Sequence, residues 1–232
     1  MKKLLVIVCA LSFFLVLMHA QEKKESLLDG ITIVLDAGHG GKDQGTSCNE
    51  GSEASLNLSI VKKLQKQLNA YGANVVLTRD GDYDLASPNA HNRKKEDLNK
   101  RMEIIAQNNA NLFISIHANS FGSANVSGIQ LFYQDGNEVS KKLCEMVHAQ
   151  IKAINQNILK DKTGDYFVLN ESKVPALLIE CGFLSNEKDR QLLFQEAYQQ
   201  KLADSISDAI LHYFTFYYLC NVIFLQKYKN IR

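Results

Sequence analysis

Apolar and polar positions follow two rhythms along this chain. Short apolar runs bounded by glycine, asparagine or aspartate indicate buried strands, and apolar stripes spaced by three and four residues indicate amphipathic helices. The strands are predicted at Ile31–Asp36, Asn74–Arg79, Leu112–His117, Gly128–Tyr133, Asp165–Leu169 and Ala176–Cys181, and the helices at Glu53–Tyr71, Lys95–Asn108, Asn137–Ile154 and Glu187–Phe214. Because strands alternate with helices, the pattern predicts an α/β fold, with a mostly parallel twisted sheet of about six strands and helices on both faces.

The first twenty residues have a different pattern, in which two lysines precede an apolar run without charges, Leu4–Met18. This is the pattern of a secretory signal peptide, and the run is shorter than the ~20 residues of a comfortable transmembrane helix. Cleavage after Ala20 would leave Met18 where a small residue is preferred, so retention as a membrane anchor stays open. In both cases we expect residues 1–20 to direct export across the cytoplasmic membrane.

The C-terminal end is also unusual, because residues 209–225 are almost all apolar or aromatic and a basic stretch, 227–232, follows. The run contains His212 and Asn221 and is too short to span a membrane well. Packing of a long last helix is the alternative to membrane association through this tail. We therefore predict a spacer at 21–30, one globular domain at 31–214 and an apolar and basic tail at 215–232.

Composition excludes several classes of protein. The 232 residues carry a formal net charge of +1, which becomes −1 without residues 1–20, and the basic cluster near Arg93 is interleaved with acids, so no nucleic-acid partner is expected. The five cysteines form no C-x-x-C pair, which argues against a disulfide framework or a cysteine zinc site. The glycine-rich turn DAGHGGKDQGT fits neither nucleotide-binding motif, and there is no G-x-S-x-G turn for a serine nucleophile.

Four polar side chains stand at positions where ligands usually bind. His39, His117 and Glu180 follow or end three predicted strands, and Glu53 opens a helix on its core-facing stripe. In open α/β sheets, ligands bind beyond the carboxyl ends of the strands. Two histidines and a carboxylate can hold a zinc ion with one position open, and a second carboxylate can accept a proton from water. The pattern therefore predicts a metal-dependent hydrolase.

Each of these residues also has a simpler explanation. Glu53 would complement the helix dipole, His117 would be a hydrogen-bonded core histidine, and His39 would be a turn residue between two glycines. Glu180 is harder to explain in this way, because an unpaired carboxylate in the run ALLIEC is costly to bury.

Two further residues are candidates for substrate binding. Arg101 lies at the border of the buried face of its helix and would bind a substrate carboxylate or, alternatively, form a structural ion pair. Asn119, two residues beyond His117, could hydrogen-bond substrate. Asp36 or Asp43 would orient His39, and the sequence does not decide between them.

Five segments carry a family resemblance: LDAGHGGKDQG, EASLNLSIVKKL, TRDGDYDL, LFISIHANS and VPALLIECGFLSN. In this order they resemble the zinc-dependent N-acetylmuramoyl-L-alanine amidases of bacterial cell walls, over about residues 31–214. The resemblance implies a Zn²⁺ cofactor held by His39, Glu53 and His117, with Glu180 as the catalytic carboxylate. It implies hydrolysis of the amide between N-acetylmuramic acid and L-alanine, which removes stem peptides from peptidoglycan.

The stretch DYDLASPNAHNRKKEDLNKR resembles the subgroup that trims spore cortex, where removal of stem peptides prepares the muramic lactam. Between His117 and Glu180 there is no long inhibitory segment of the kind found in members implicated in cell separation. A zinc peptidase acting on stem peptides, a non-catalytic wall-binding domain and a membrane-tethered scaffold are the alternatives. We expect a monomer, and the sequence does not indicate whether an activator protein is needed.

Overall fold

The structure is a computed structural model that describes residues 27–218. The predicted leader at 1–20, most of the spacer and the tail beyond residue 218 lie outside the described residues, so the predictions made for them stay predictions. Within residues 27–218, none of the helices is both long enough and apolar enough to cross a bilayer.

The described chain alternates strands with helices. The strands are β1 (Thr32–Ala37), β2 (Ser47–Cys48), β3 (Gly51–Ser52), β4 (Asn74–Leu77), β5 (Leu112–Asn119), β6 (Gln130–Tyr133), β7 (Lys162–Thr163) and β8 (Ala176–Phe183). The helices are α1 (Glu53–Ala70), α2 (Arg93–Gln107), α3 (Glu138–Ile154), α4 (Phe167–Asn170), α5 (Glu187–Leu193) and α6 (Glu196–His212), followed by a π-helical segment at Tyr213–Tyr218.

Six of the strands form one sheet in the order β4-β1-β5-β8-β6-β7, and β2 and β3 form a small separate hairpin. Strands β4, β1, β5 and β8 are mutually parallel. Strand β6 runs antiparallel to β8, and β7 runs parallel to β6. The predicted fold class, a mostly parallel sheet of about six strands in an α/β protein, is confirmed.

The two faces of the sheet are covered unequally. The larger apolar cluster joins one face to α1, α3 and α6, and the smaller cluster joins the other face to α2 and α4. On α1 the predicted stripe of Leu56, Ile60, Leu64 and Leu68 is fully buried against the larger face, and each such side chain contributes roughly 1.5–3 kcal/mol through burial. Helices therefore lie on both faces, but the face under α2 and α4 is the thinner layer.

Alternation along the strands brings polar side chains to this thinner face. Because successive side chains point to opposite faces, Asp36 shares a face with Val34, and His117 and Ser115 share one with Phe113. Glu180 lies in the same way on the side of Leu178. The polar groups of three adjacent strands thus collect toward the carboxyl ends, beside the gap between α2 and α4.

Two predicted elements are wrong. Residues 165–169 do not form a strand: only Lys162–Thr163 pairs with β6, and α4 follows as a single helical turn. The side chain of Asn170 donates to Asp165 at 2.7 Å, and the turn buries the consecutive residues Val168 and Leu169, which a strand would direct to opposite faces.

The predicted helix Glu187–Phe214 is divided into α5 and α6. The break falls at Phe194 and Gln195, where the side chain of Gln199 donates to the carbonyl of Leu193 at 2.8 Å. This side-chain bond satisfies a carbonyl at the end of α5, so a continuous helix is not needed there. The spacing of apolar residues continues across the break, so the sequence pattern did not indicate that the helix is divided.

Candidate metal centre

The loop after β1 presents His39 in an uncommon backbone conformation. His39 has φ of +62°, and a Cβ on the preceding Gly38 would lie 2.2 Å from Cε1 of His117. Only a glycine leaves room for the His117 ring at that point. The glycines of this turn therefore let two imidazoles approach each other, with ring centroids 5.1 Å apart.

Glu53 reaches the same place from the other side of the sheet, as the first residue of α1. Ser52 caps the helix by accepting from the backbone N–H of Ser55, which fixes where Glu53 begins the first turn. Oε2 of Glu53 accepts from the backbone N–H of Thr46 at 3.1 Å, and Oε1 accepts from that of Ala118 at 3.3 Å. The carboxylate is buried and held in one orientation.

These three side chains converge on one point. Oε1 of Glu53 lies 3.1 Å from Nε2 of His39 and 3.1 Å from Nδ1 of His117. One potential ligand atom from each residue lies within 4.8 Å of the others, a spacing at which all three can contact one ion. The described residues contain no second group of this kind.

The charges of the cluster support one another. Burial alone would lower the pKa of His39, but the hydrogen bond and charge of Glu53, together with the charge of Asp43, outweigh it and raise that pKa to about 9. Burial alone would raise the pKa of Glu53, but its contacts with His117 and His39 hold it well below its usual range. Glu53 is therefore an anion between two imidazoles.

Glu180 lies directly beside this cluster but has a different environment. It pairs in register with His117 across the parallel strands β5 and β8. Burial raises its pKa to about 7, with the charge of His117 opposing the shift and that of Glu53 adding to it. The residue is only 7% exposed, and within residues 27–218 its Oε2 has no hydrogen-bond partner. Glu180 is therefore a buried carboxyl with a raised pKa, unlike the hydrogen-bonded carboxylate of Glu53.

The structure distinguishes the two aspartates considered near His39. Oδ2 of Asp43 lies 2.9 Å from Nδ1 of His39, at ion-pair distance but without the alignment of a hydrogen bond. Asp36 instead accepts from Thr78 at 2.7 Å and Ser115 at 2.6 Å, and it pairs with Arg101. Asp43 is therefore the carboxylate beside His39.

Arg101 forms the structural ion pair that the sequence left open as an alternative. It is 2% exposed, and its guanidinium contacts the carboxylates of Asp36 and Asp97 and the carbonyls of Ala37 and His39. These contacts engage all three guanidinium nitrogens inside the fold. A role in binding a substrate carboxylate has no free donor to support it.

The cluster opens into a cleft of about 810 Å³ between α2 and α4, and Asn119 is part of its wall. Oδ1 of Asn119 accepts from the backbone N–H of Ser120 at 2.8 Å. Its predicted role in substrate binding stays a prediction.

Sequence reasoning missed Arg79, which is buried and donates to the carbonyls of Ala37, Gly38, Ala54 and Gly81. These bonds tie the turn that carries His39 to the start of α1, which carries Glu53. The only signal in the sequence was the segment TRDGDYDL, to which no physical role had been given.

An open α/β sheet that gathers imidazoles and carboxylates at the carboxyl ends of its strands is typical of metal-dependent hydrolases. Residues 33–212 match the family described as N-acetylmuramoyl-L-alanine amidase. The chain belongs to this family.

Individual relatives agree with this assignment. The germination-specific N-acetylmuramoyl-L-alanine amidase of Bacillus subtilis is 37% identical over 194 residues, which cover 81% of each chain. Among solved structures, the CwlD amidase of Clostridioides difficile, in complex with the GerS lipoprotein, has 38% identity and a TM-score of 0.76, and the match covers 80% of this chain and 99% of that one. The catalytic domain of the amidase CwlV from Bacillus (Paenibacillus) polymyxa has 33% identity and a TM-score of 0.70, covering 79% and 97%.

Proposed function

We propose that this protein hydrolyses the amide between N-acetylmuramic acid and L-alanine in peptidoglycan and thereby releases stem peptides. Membership of the amidase family supports the reaction. The observation that carries the assignment of residues is the meeting of His39, Glu53 and His117 within 4.8 Å, with Glu180 beside them in the same cleft.

The residues present fit a zinc ion. Two imidazole nitrogens and one carboxylate oxygen are a donor set of catalytic zinc sites, in which a fourth position stays open. Nε2 of His39, Nδ1 of His117 and the carboxylate of Glu53 would hold the ion, and Asp43 would steady His39 through its other ring nitrogen. When bound, zinc polarises a carbonyl and makes water a nucleophile near neutral pH.

Glu180 is the proton carrier in this proposal. It accepts a proton from the attacking water as the new C–O bond forms at the lactyl carbonyl, and it returns that proton to the alanine nitrogen as the C–N bond breaks. A pKa of about 7 suits both steps, since the group can accept and release a proton near neutral pH. No covalent intermediate with the protein is required.

Paired variants test these roles. Glu180→Gln should retain zinc and lose turnover by a factor of about 10²–10⁴, the usual contribution of a general base. His117→Ala should lose zinc, measured by elemental analysis of the purified protein. Near-normal release of peptide from sacculi by Glu180→Gln, or full zinc content in His117→Ala, would refute the assigned roles.

We further propose that the substrate is spore-cortex peptidoglycan, outside the cytoplasmic membrane. The name of the Bacillus subtilis relative is germination-specific, and this chain covers 81% of it. Deletion of the gene should abolish muramic lactam in cortex muropeptides while the vegetative wall keeps its composition. Unchanged lactam content would contradict the cortex role and leave the amidase reaction untouched.

A further inference from the structure

The metal cleft continues into a second groove, which has a volume of about 520 Å³. Asn119, Asp165 and Tyr166 line both, so the two form one trough that passes over the catalytic centre. The metal cleft lies between α2 and α4. The second groove lies beside β6 and β7, at the edge of the sheet, and we call it the edge groove.

An exposed aromatic ring, Phe121, stands in the edge groove on a loop that is held in place. Phe121 is 59% exposed, yet its backbone N–H donates to Ser185 at 3.0 Å and the side chain of Asn186 donates to the carbonyl of Ala124 at 2.7 Å. A single exposed apolar side chain is common on protein surfaces, and Phe121 is notable because it lines the same groove as the ring of Tyr166.

Phe132, Tyr166 and Phe183 also line the edge groove, together with polar side chains such as Gln130 and Thr163. Tyr166 meets the ring of Phe132 edge to face, with centroids 4.8 Å apart, and Nζ of Lys162 lies 5.2 Å from the centroid of Phe132. The charged residues of the edge groove are Lys162 and Asp165, whose charges cancel. The edge groove therefore combines aromatic rings with uncharged polar groups and has no net charge.

The other end of the trough, in the metal cleft, is lined by charged side chains. Lys42 and Lys94 line the metal cleft, and both are exposed. Neither forms an ion pair within residues 27–218, although the charge of Lys94 helps to lower the pKa of Asp43. Arg93, by contrast, is already paired with Asp84 at 2.5 Å. Two exposed lysines without ion pairs among the described residues thus lie in the metal cleft, which Asp43, Asp84 and Asp97 also line, against one such lysine, Lys162, in the edge groove.

The two halves of the substrate differ in the same way. A stem peptide carries carboxylates, which complement free lysines. The glycan strand is uncharged once its lactyl groups are in amide linkage, and the apolar C–H faces of its pyranose rings pack on aromatic side chains.

We propose that the edge groove is a binding subsite for the glycan strand, with Phe121 and Tyr166 packing against sugar rings that flank the cleaved N-acetylmuramic acid. The stem peptide then extends past His39 toward Lys42 and Lys94. This orientation rests on the amidase function proposed above.

Binding of peptide-free glycan tests the subsite without any turnover. Oligosaccharides of alternating N-acetylglucosamine and N-acetylmuramic acid, with the lactyl carboxyls converted to methyl amides so that the probe is uncharged like the substrate glycan, should bind the intact protein. Phe121→Ala should weaken that binding roughly 3- to 10-fold, as expected for loss of one aromatic contact. Phe121→Tyr should bind as the wild type does. Leu192→Ala, which trims another exposed apolar side chain outside the trough, is the matched control.

Kinetics on two substrates separates the subsite from the reaction. On long glycan carrying stem peptides, Phe121→Ala should raise KM by a similar factor with kcat unchanged, and on a single N-acetylmuramoyl peptide it should change neither. Wild-type protein that cleaves both substrates but binds no peptide-free glycan would overturn the subsite alone, as would an equal rise of KM on both substrates. Failure of the wild type to cleave either substrate would instead contradict the proposed function.

Discussion

At the scale of single residues, three buried carboxylates on or beside the thin face of the sheet are stabilised in different ways. Asp36 is neutralised by Arg101 and hydrogen-bonded by two hydroxyls, and Glu53 lies between two imidazoles. In the described part of the chain, Oε2 of Glu180 has no such partner. Because a buried charge without a partner is costly, Glu180 is the carboxyl that keeps its proton to the highest pH.

Glu180→Gln should therefore stabilise the metal-free protein in a pH-dependent way. A carboxyl whose pKa rises from 4.5 to about 7 on folding favours the folded state below pH 4.5, and this contribution is lost as the pH rises through 7. At pH 8 the variant should gain on the order of 3 kcal/mol over the wild type, whereas at pH 4 the two should be equal.

Denaturant unfolding at both pH values, in the presence of chelator, measures this difference. Glu103→Gln, which changes an exposed glutamate on α2, is the control and should alter the free energy of unfolding by less than about 0.5 kcal/mol. A gain for Glu180→Gln that is the same at pH 4 and pH 8 would contradict the raised pKa.

Single residues also mark the limit of sequence reasoning. His39, His117 and Glu180 could be found because each ends or follows an apolar strand. The partner of His39 could not, since Asp36 and Asp43 are both close in the chain and only the ring orientation selects Asp43. Arg79 was missed because an arginine at a strand end is usually solvated, whereas here it is buried against four carbonyls.

At the scale of elements, the turn between β1 and α1 controls how closely the two imidazoles approach. Gly38→Ala would place a methyl group 2.2 to 2.6 Å from three atoms of the His117 ring, so the ring or the turn must move. We expect a loss of stability of about 1–3 kcal/mol, as for overpacking of a core, together with loss of bound zinc.

Isothermal titration calorimetry with zinc measures the loss of binding, and scanning calorimetry measures the loss of stability. Gly122→Ala is the control, because a Cβ there meets no atom within 4 Å and its backbone conformation suits alanine. Unchanged zinc affinity in Gly38→Ala would contradict the assigned geometry.

Arg101 tests how α2 is fastened to β1. Arg101→Met removes the partner of a buried carboxylate and should cost about 3–5 kcal/mol, since Asp36 is then left without a cation. The neighbouring variant Lys100→Met breaks only the exposed pair with Glu96 and should cost less than about 1 kcal/mol. A rise in KM with unchanged unfolding free energy would show instead that Arg101 binds substrate.

The elements that sequence predicted wrongly are those whose ends are set by side-chain contacts. Residues 165–169 are apolar enough for a strand, but the bond between Asn170 and Asp165 closes a helical turn. That turn places Tyr166 at its N-terminal end, where it lines both the metal cleft and the edge groove. Because residues 165–169 were predicted as a strand, the position of Tyr166 in the trough could not be predicted from the sequence.

At the scale of the whole molecule, unequal covering of the sheet determines where chemistry takes place. Three long helices seal one face, and the gap between α2 and α4 leaves the other open at the carboxyl ends of the strands. Alternation of strand and helix in the sequence predicted the layers and the edge. It did not predict that β6 runs antiparallel, because the direction of β6 depends on the path of residues 120–129, which join it to β5 without a helix.

The most direct test of the account is identification of the products formed from purified peptidoglycan, by mass spectrometry, with and without a chelator. The zinc-loaded protein should release intact stem peptides that begin with a free L-alanine and leave glycan without peptides, and the chelator should abolish both products until zinc is restored. Fragments cut within the stem peptide, or undiminished release in the chelator, would contradict it.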